Sequence, residues 1–378
     1  MRKKLCSWIL VWTCLLASGP VWGQTRIPGK PWLLGTYAHG SFIIAHSPFM
    51  RHLAASHPVG FEVNAQRQTL GEKDWHLLYR LPKVGYSFVY YNYRNPTLGR
   101  SFALSTYLNK TLVRTSKGEL NYRLGVGIAY LTNTYHQELN HKNSVASSAL
   151  NATMQTRFEY SYRFAPAFSV LAGLGLNHYS NGATQKPNLG INLPVLSLGV
   201  NYHTHPAFSN TQLETLWLER ALLTNNRPVF DSSPYLTAST TLGFRQINIS
   251  DKKKYAVQSL TLAMTKPLNP KSNMLLGLEG FYDRSLKVQQ LSDTTLTGKT
   301  YPDTKKGGLF IGHELLFGDL AFGLQLGYYV YRPYKTATVY YERIGLKYHL
   351  NRHFFGALDL KVHGFAADVV EWRIGYRF

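Results

Sequence analysis

Cysteine is nearly missing from this sequence. The chain has two in 378 residues, Cys6 and Cys14. Both lie in an N-terminal stretch, 1–23, that reads as a secretory signal peptide. Arg2, Lys3 and Lys4 form a basic start, Leu5 to Ala17 is a short apolar run, and Val21-Trp22-Gly23 precedes a cut before Gln24. The run is too short for a spanning helix. The exported chain then has no cysteine, which excludes a disulfide framework, a thiolate metal site and a cysteine nucleophile.

Long apolar runs are lacking too. Past the N-terminus none approaches about 18 residues, and mean hydropathy is −0.20. A helical membrane protein is excluded. Acidic residues are scarce beside basic ones, 20 Asp+Glu against 41 Lys+Arg; losing Arg2, Lys3 and Lys4 leaves 38, a formal charge of +18. In a cytosolic protein that excess would suggest nucleic acid. In an exported one it suits a phosphate-rich membrane surface, or a basic exterior with no specific partner, and no nucleic-acid partner is expected.

Aromatics and glycine are plentiful: 26 Tyr, 19 Phe and 31 Gly. The composition is too apolar for disorder and favours strands. Several segments alternate strictly. Val370, Trp372, Ile374, Tyr376 and Phe378 share one face at the C-terminus, opposite Glu371, Arg373, Gly375 and Arg377. Phe158, Tyr160, Tyr162 and Phe164 oppose Arg157, Glu159, Ser161 and Arg163. Leu320 to Val330 alternates likewise. A period of two fixes two-faced strands. Faces of Gly and charge opposite apolar faces ending in aromatics fit a transmembrane barrel, with lipid outside and a polar lumen inside. A closed barrel also satisfies every backbone group, which an open sheet in lipid does not. The terminal Phe378, closing an alternating strand, resembles the sorting signal of outer-membrane barrels of Gram-negative envelopes.

Sixteen segments qualify as strands: 32–44, 58–67, 84–93, 100–107, 118–131, 152–164, 166–178, 190–203, 233–248, 254–267, 273–284, 307–317, 319–331, 338–349, 352–364 and 368–378. Those at 58–67, 100–107 and 307–317 alternate weakly. The expectation is an all-β, antiparallel outer-membrane barrel of 14 strands, within a range of 12–16, as a single domain over 24–378. Long links at 132–151, 179–189 and 285–306 suit outer loops; short ones at 164–167, 317–319 and 350–352 suit periplasmic turns. The link 204–232 is long yet falls on the periplasmic side. Within it Thr211-x-x-Glu214 reads as a capping box, and a short helix is expected near 210–223.

Chemistry concentrates at 178–192. His178 and Ser180 are two apart and share a strand face. An imidazole within reach of a hydroxyl can take its proton as the oxygen attacks. Val170, Ala172, Leu174 and Leu176 put that face toward lipid, and Asn192 shares a face with Pro194, Leu196, Leu198, Val200 and Tyr202. The polar groups therefore converge on a membrane-facing groove near the outer rim. A His-x-Ser pair alone is common, and the chain has a second at His39-Gly40-Ser41. The first pair is distinguished by its C-terminal neighbours: Asn181-Gly182, then Pro187-Asn188-Leu189-Gly190-Ile191-Asn192.

The run His178-Tyr179-Ser180-Asn181-Gly182 with Pro187-Asn188-Leu189-Gly190-Ile191-Asn192 resembles the signature of the PagL-type lipid A 3-O-deacylases, or acyloxyacyl hydrolases. Asn140-His141-Lys142-Asn143 through Leu150-Asn151 resembles the longer members. The resemblance is specific over about 118–203, extends back to 32, and beyond 205 rests on the barrel pattern alone. It implies an outer-membrane esterase that removes the 3-linked acyl chain of lipid A, with lipopolysaccharide in the outer leaflet as partner and no metal or other cofactor. Carried over, it makes Ser180 the nucleophile and His178 the general base. Asn181, through its backbone N–H, and Asn188 join the oxyanion hole; Gly182 lines the same position and, with Pro187, shapes the loop. Asn192 stands where the family pattern has a glutamate. An amide can still hold the histidine tautomer but does not stabilise imidazolium as a carboxylate does. Glu159 is a conceivable substitute, but it belongs to the lumen face.

Two other readings compete. One is a non-enzymatic channel or transport barrel using a charged lumen. The other is a phospholipase dependent on calcium, for which the sequence offers no dense carboxylate cluster. Gly-x-Ser-x-Gly, Gly-Lys phosphate loops and His-Glu-x-x-His are all missing.

Overall fold

The computed structural model describes residues 32–378 apart from 206, 207, 209, 224–229, 337 and 365. The signal-peptide segment 1–23 lies outside the described residues.

Alternation carries most of the chain into antiparallel strands. The first eight are β1 (Trp32–Ser41), β2 (Val59–Gln68), β3 (Lys83–Asn92), β4 (Arg100–Arg114), β5 (Gly118–Leu131), β6 (Leu150–Ala165), β7 (Phe168–Ser180) and β8 (Ile191–His203). The second eight are β9 (Tyr235–Arg245), β10 (Tyr255–Asn269), β11 (Ser272–Asp283), β12 (Lys306–Phe317), β13 (Leu320–Tyr331), β14 (Tyr340–His349), β15 (Phe354–His363) and β16 (Ala366–Arg377). Every candidate segment has its strand. The strands do not close into one ring of 14, however. They form two closed barrels of eight, the first sealed by β1 against β8 and the second by β16 against β9. Thr36 faces Val200 across the first seam and Trp372 faces Leu242 across the second.

This corrects the expected single barrel, and parity gives the reason. Eight strands return the chain to the side from which it started, so the link after β8 must run on that side. The segment 204–232 that broke the loop-length rule is the connection between barrels. It carries the helix Asn210–Leu223. Thr211 stands inside that helix, whose first residue is Asn210. Trp217 Nε1 donates to the Leu77 carbonyl at 2.9 Å, the Arg80 guanidinium sits 3.9 Å over the Trp217 ring, and Leu213 packs with Leu77 and Leu81. The same β2–β3 connection, through the short helix Asp74–Leu78, reaches the second barrel. Tyr79 stacks on Phe317 with ring centroids 4.6 Å apart, and Trp75 meets Phe317 edge-on at 6.3 Å.

The outward faces are apolar, as lipid requires. The lumens are polar and filled. In the first, Glu62 accepts from Arg123 at 2.6 Å and from Arg157 at 3.0 Å, with Glu159 beside both guanidinium groups. Glu62, Arg123, Arg157 and Glu159 are each no more than 1% exposed. In the second, Arg343 bridges Glu279 at 2.5 Å and Glu371 at 2.8 Å, and Lys347 pairs with Glu314. These interlocked pairs are buried inside both lumens. The charged lumen on which the channel reading rests is present, but its charges are paired with one another and buried. At the outer end of the first barrel Ile43, Met50, Leu53, Tyr91, Tyr93, Val145, Ala146, Tyr179 and Leu193 form an apolar plug that anchors the loops above it.

Candidate active site

β7 and β8 place the site by pairing. His178 and Asn192 are direct cross-strand partners, Leu176 faces Pro194, and Leu174 faces Leu196. Inward residues of β7 point to the lumen, where Asn177 Nδ2 donates to the Tyr91 hydroxyl at 3.0 Å. His178 and Ser180 therefore share the outward face with Leu174 and Leu176. Ser180 is the last residue of β7, and the loop 181–190 folds over it, leaving it 8% exposed.

Two donors converge on Ser180 Oγ: Asn188 Nδ2 at 2.9 Å and the Gly182 backbone N–H at 3.1 Å. The Asn181 N–H is directed elsewhere. It donates to Asn188 Oδ1 at 3.1 Å, which turns the other end of that amide, Nδ2, toward the serine. The Asn181 side chain ties the loop down, with Nδ2 donating to Ser147 Oγ, Ser148 Oγ and the Gln185 carbonyl at 2.9–3.1 Å. So Asn181 sits behind Asn188, while Gly182, expected mainly to shape the loop, supplies an N–H at the serine. Gly182 has φ +62°, and a Cβ there would run into Val370 Cγ2 of the second barrel. Pro187 lies in the same loop, one residue before Asn188.

His178 Nδ1 lies 2.6 Å from Asn192 Oδ1. An amide oxygen only accepts, so Nδ1 carries the proton and Nε2 keeps its lone pair. Asn192 Nδ2 in turn lies 3.2 Å from His46 Nδ1, and His46 Nε2 lies 3.0 Å from the Leu189 carbonyl oxygen. His46 is a site residue the sequence reading missed. It stands in the β1–β2 loop, 132 residues before His178 in the chain. The one signal was its place on the outward alternation Phe42, Ile44, His46, two residues past the marked strand. The Ile44 N–H donates to the Asn192 carbonyl at 3.1 Å, which continues the β1–β8 pairing up to the site.

Among the described residues no hydrogen bond joins His178 to Ser180; the serine is held by its loop donors and the histidine by Asn192. Glu159 is a lumen residue bonded to Asn109 and Arg123, and cannot orient His178 from there. The second pair, His39 and Ser41, is parted. His39 points into the lumen with Ser197 Oγ at 2.9 Å and Glu62 at 3.2 Å, while Ser41 Oγ donates to the Pro58 carbonyl. Among the described residues no group of three or more His, Cys, Asp or Glu could hold a metal ion.

The loop over Ser180 also abuts the second barrel. The Lys186 N–H donates to Gln246 Oε1 at 2.8 Å. Burial pushes the Lys186 ammonium pKa down, and Arg245 of the second barrel lowers it further, against the opposing pull of Asp368.

Closed antiparallel rings with apolar outsides, polar filled lumens and a serine-histidine site on the outer face define an outer-membrane β-barrel protein with a membrane-facing polar cluster. A family model described as Lipid A 3-O-deacylase (PagL) matches residues 59–201, and one described as Acyloxyacyl hydrolase, C-terminal domain, matches residues 234–378. The chain belongs to this PagL-type family. The two matches fall on the first and second barrels, with the inter-barrel link between them. No curated protein matches the chain in sequence. Similar solved structures are distant. Neisserial surface protein A is 13% identical with TM-score 0.31, covering 46% of this chain and 97% of its own. An outer-membrane channel from Pseudomonas putida F1 is 9% identical with TM-score 0.20, covering 95% and 97%.

Proposed function

We propose that the chain is a serine esterase of the Gram-negative outer membrane that hydrolyses the 3-O-linked acyl chain of lipid A in the outer leaflet. One observation carries this reading: a serine oxygen held by two N–H donors and a histidine with its Nε2 lone pair free stand on the same lipid-facing strand end. Family membership supports lipid A as the substrate.

Ser180 Oγ attacks the ester carbonyl carbon while His178 Nε2 takes its proton. The carbonyl oxygen becomes an oxyanion and accepts from Asn188 Nδ2 and the Gly182 N–H, both already at the reaction centre. Both donate to Ser180 Oγ in the resting site and shift to the oxyanion as it forms beside that oxygen, where such a donor is commonly worth about 3–4 kcal/mol. The tetrahedral intermediate then collapses. The C–O bond to the sugar breaks, and His178 returns the proton to the sugar oxygen, leaving an acyl group on Ser180. Water attacks that ester with His178 again as base, releasing a 3-hydroxy fatty acid and free Ser180. Asn192 holds the imidazole in the reactive tautomer through both halves.

The test is mass spectrometry of lipid A after incubation with the refolded protein. Wild type is expected to remove one hydroxyacyl chain and Ser180→Ala to remove none. Unchanged lipid A with folded wild type, or undiminished loss with Ser180→Ala, overturns the reading.

A further inference from the structure

We infer that the second barrel forms one wall of an acyl-chain subsite, with Val370 and Leu360 at its mouth. The inference rests on the reading of Ser180 as nucleophile and adds where the substrate's chain lies.

Gly182 marks the contact between the site and the second barrel. Its N–H touches the nucleophile oxygen at 3.1 Å, and the space beside its Cα is filled by the second barrel: Val370 Cγ2, with Leu360 Cδ1 3.3 Å from where a Cβ would stand. Val370 and Leu360 are direct partners across β15 and β16, so they form one apolar edge beside the catalytic loop. Below them the same outward face continues in register, Leu358 opposite Trp372 and Gly356 opposite Ile374. From Ser180 downward the first barrel offers a matching stripe, Leu176 with Pro194 and then Leu174 with Leu196. Two apolar stripes thus descend toward the membrane interior from one point of contact.

They do not close on each other. Leu174 is 66% exposed and Ile374 69%. The barrels touch at Gly182 and Lys186 and, through the β2–β3 connection, at Phe317, and both stripes stay exposed between these contacts. An ester held at Ser180 has to send its chain somewhere, and a linear saturated chain matches that lining. The occupant is the scissile acyl chain, entering past Val370 and Leu360 and running down between the stripes. The second barrel, with its lumen charges paired to one another, then has a task that needs only its outer surface.

The experiment is a chain-length series. Refolded protein in detergent micelles hydrolyses p-nitrophenyl esters from C4 to C16, and kcat/KM is read at each length. Each buried methylene is worth about fourfold in binding, so wild type is expected to rise steeply with length. Val370→Trp narrows the mouth and is expected to lower the C14-to-C4 ratio at least tenfold, on top of a length-independent loss where the larger ring presses on Gly182. Trp372→Ala, two positions down β16 and clear of the Gly182 loop, is expected to lower the ratio for the longest chains alone. Heat-modifiable migration on gels verifies that each variant is folded. An unchanged ratio in both folded variants, or an equal loss at every length, overturns the wall, since the latter means that Val370 acts only by bracing the loop. Ser180→Ala in the same series separates the two readings. If it retains full hydrolysis the nucleophile assignment fails; if it is inactive while the ratios stay fixed, the wall alone fails.

Discussion

The Leu189 carbonyl sets the tautomer of His178 without touching it. The carbonyl oxygen accepts from His46 Nε2, so in the neutral imidazole His46 Nδ1 is the acceptor. Asn192 therefore presents Nδ2 to His46 and Oδ1 to His178. His178 must then donate from Nδ1, which leaves the Nε2 lone pair free for the proposed role of base. A glutamate would impose the same tautomer by charge. An amide has two different ends, and here a second histidine and a backbone carbonyl decide which end faces His178.

That chain predicts non-additive mutations. His46→Ala releases the Asn192 amide to turn, and losing one such hydrogen bond should slow deacylation roughly fivefold, about 1 kcal/mol. In an Asn192→Asp background the carboxylate has no wrong end, so His46→Ala should then cost little. A double-mutant cycle on kcat reads the difference. Equal losses in both backgrounds would separate His46 from the orientation of His178.

Asn188 is expected to act in the transition state. Its Nδ2 stands 2.9 Å from Ser180 Oγ, and its Oδ1 is fixed by the Asn181 N–H at 3.1 Å. Asn188→Ala should lower kcat on the order of a hundredfold or more with KM little changed, as for loss of an oxyanion donor. Asn188→Asp keeps the size but offers no donor to an oxyanion, and should be as impaired. A change confined to KM would mean that Asn188 only binds substrate.

Gly182 couples the loop to the second barrel. With φ at +62°, alanine costs about 1–2 kcal/mol in backbone strain alone, and its methyl also collides with Val370. Gly182→Ala should therefore be poorly active, with the serine's N–H donor displaced. Adding Val370→Ala removes the collision but not the strain, so a partial recovery of kcat is expected. No recovery would mean that backbone strain accounts for the whole effect.

The strands were legible because lipid on one side and a charged lumen on the other force a period of two; each of the sixteen could be marked from residues such as Trp372, Ile374 and Arg373. How they close was not legible. Closure depends on whether β8 pairs back to β1, and Thr36 and Val200 carry no mark of each other across 164 positions. The one trace was the long link 204–232 on the wrong side. In the site, His178, Ser180, Asn188 and Asn192 were legible because two neighbouring strands and one loop hold them all. His46 arrives from a distant loop through the same β1–β8 seam, and Val370 from the other barrel. Neither is visible until the rings are closed.

The first barrel contains two serine-histidine sets, and they separate chemistry from appearance. Ser197, His39 and Glu62 line up in the lumen at 2.9 and 3.2 Å, with the carboxylate that the outer set lacks. Yet all three are buried to 3% exposure or less, and Glu62 is engaged by Arg123 and Arg157. Ser197 lies inside the lumen, fully buried, and does not face the leaflet. The outer set, with an amide for a carboxylate, faces the leaflet. Ser197→Ala should therefore leave lipid A deacylation per folded molecule unchanged, whereas Ser180→Ala should abolish it. Glu62→Gln should act on stability instead. Removing one partner of a buried ion network typically costs about 3–5 kcal/mol, which heat-modifiable migration or urea unfolding would register as a lower midpoint. The folded fraction should retain its turnover. Loss of activity in well-folded Ser197→Ala would move the chemistry into the lumen and require a path for substrate through the apolar plug around Tyr91 and Tyr179.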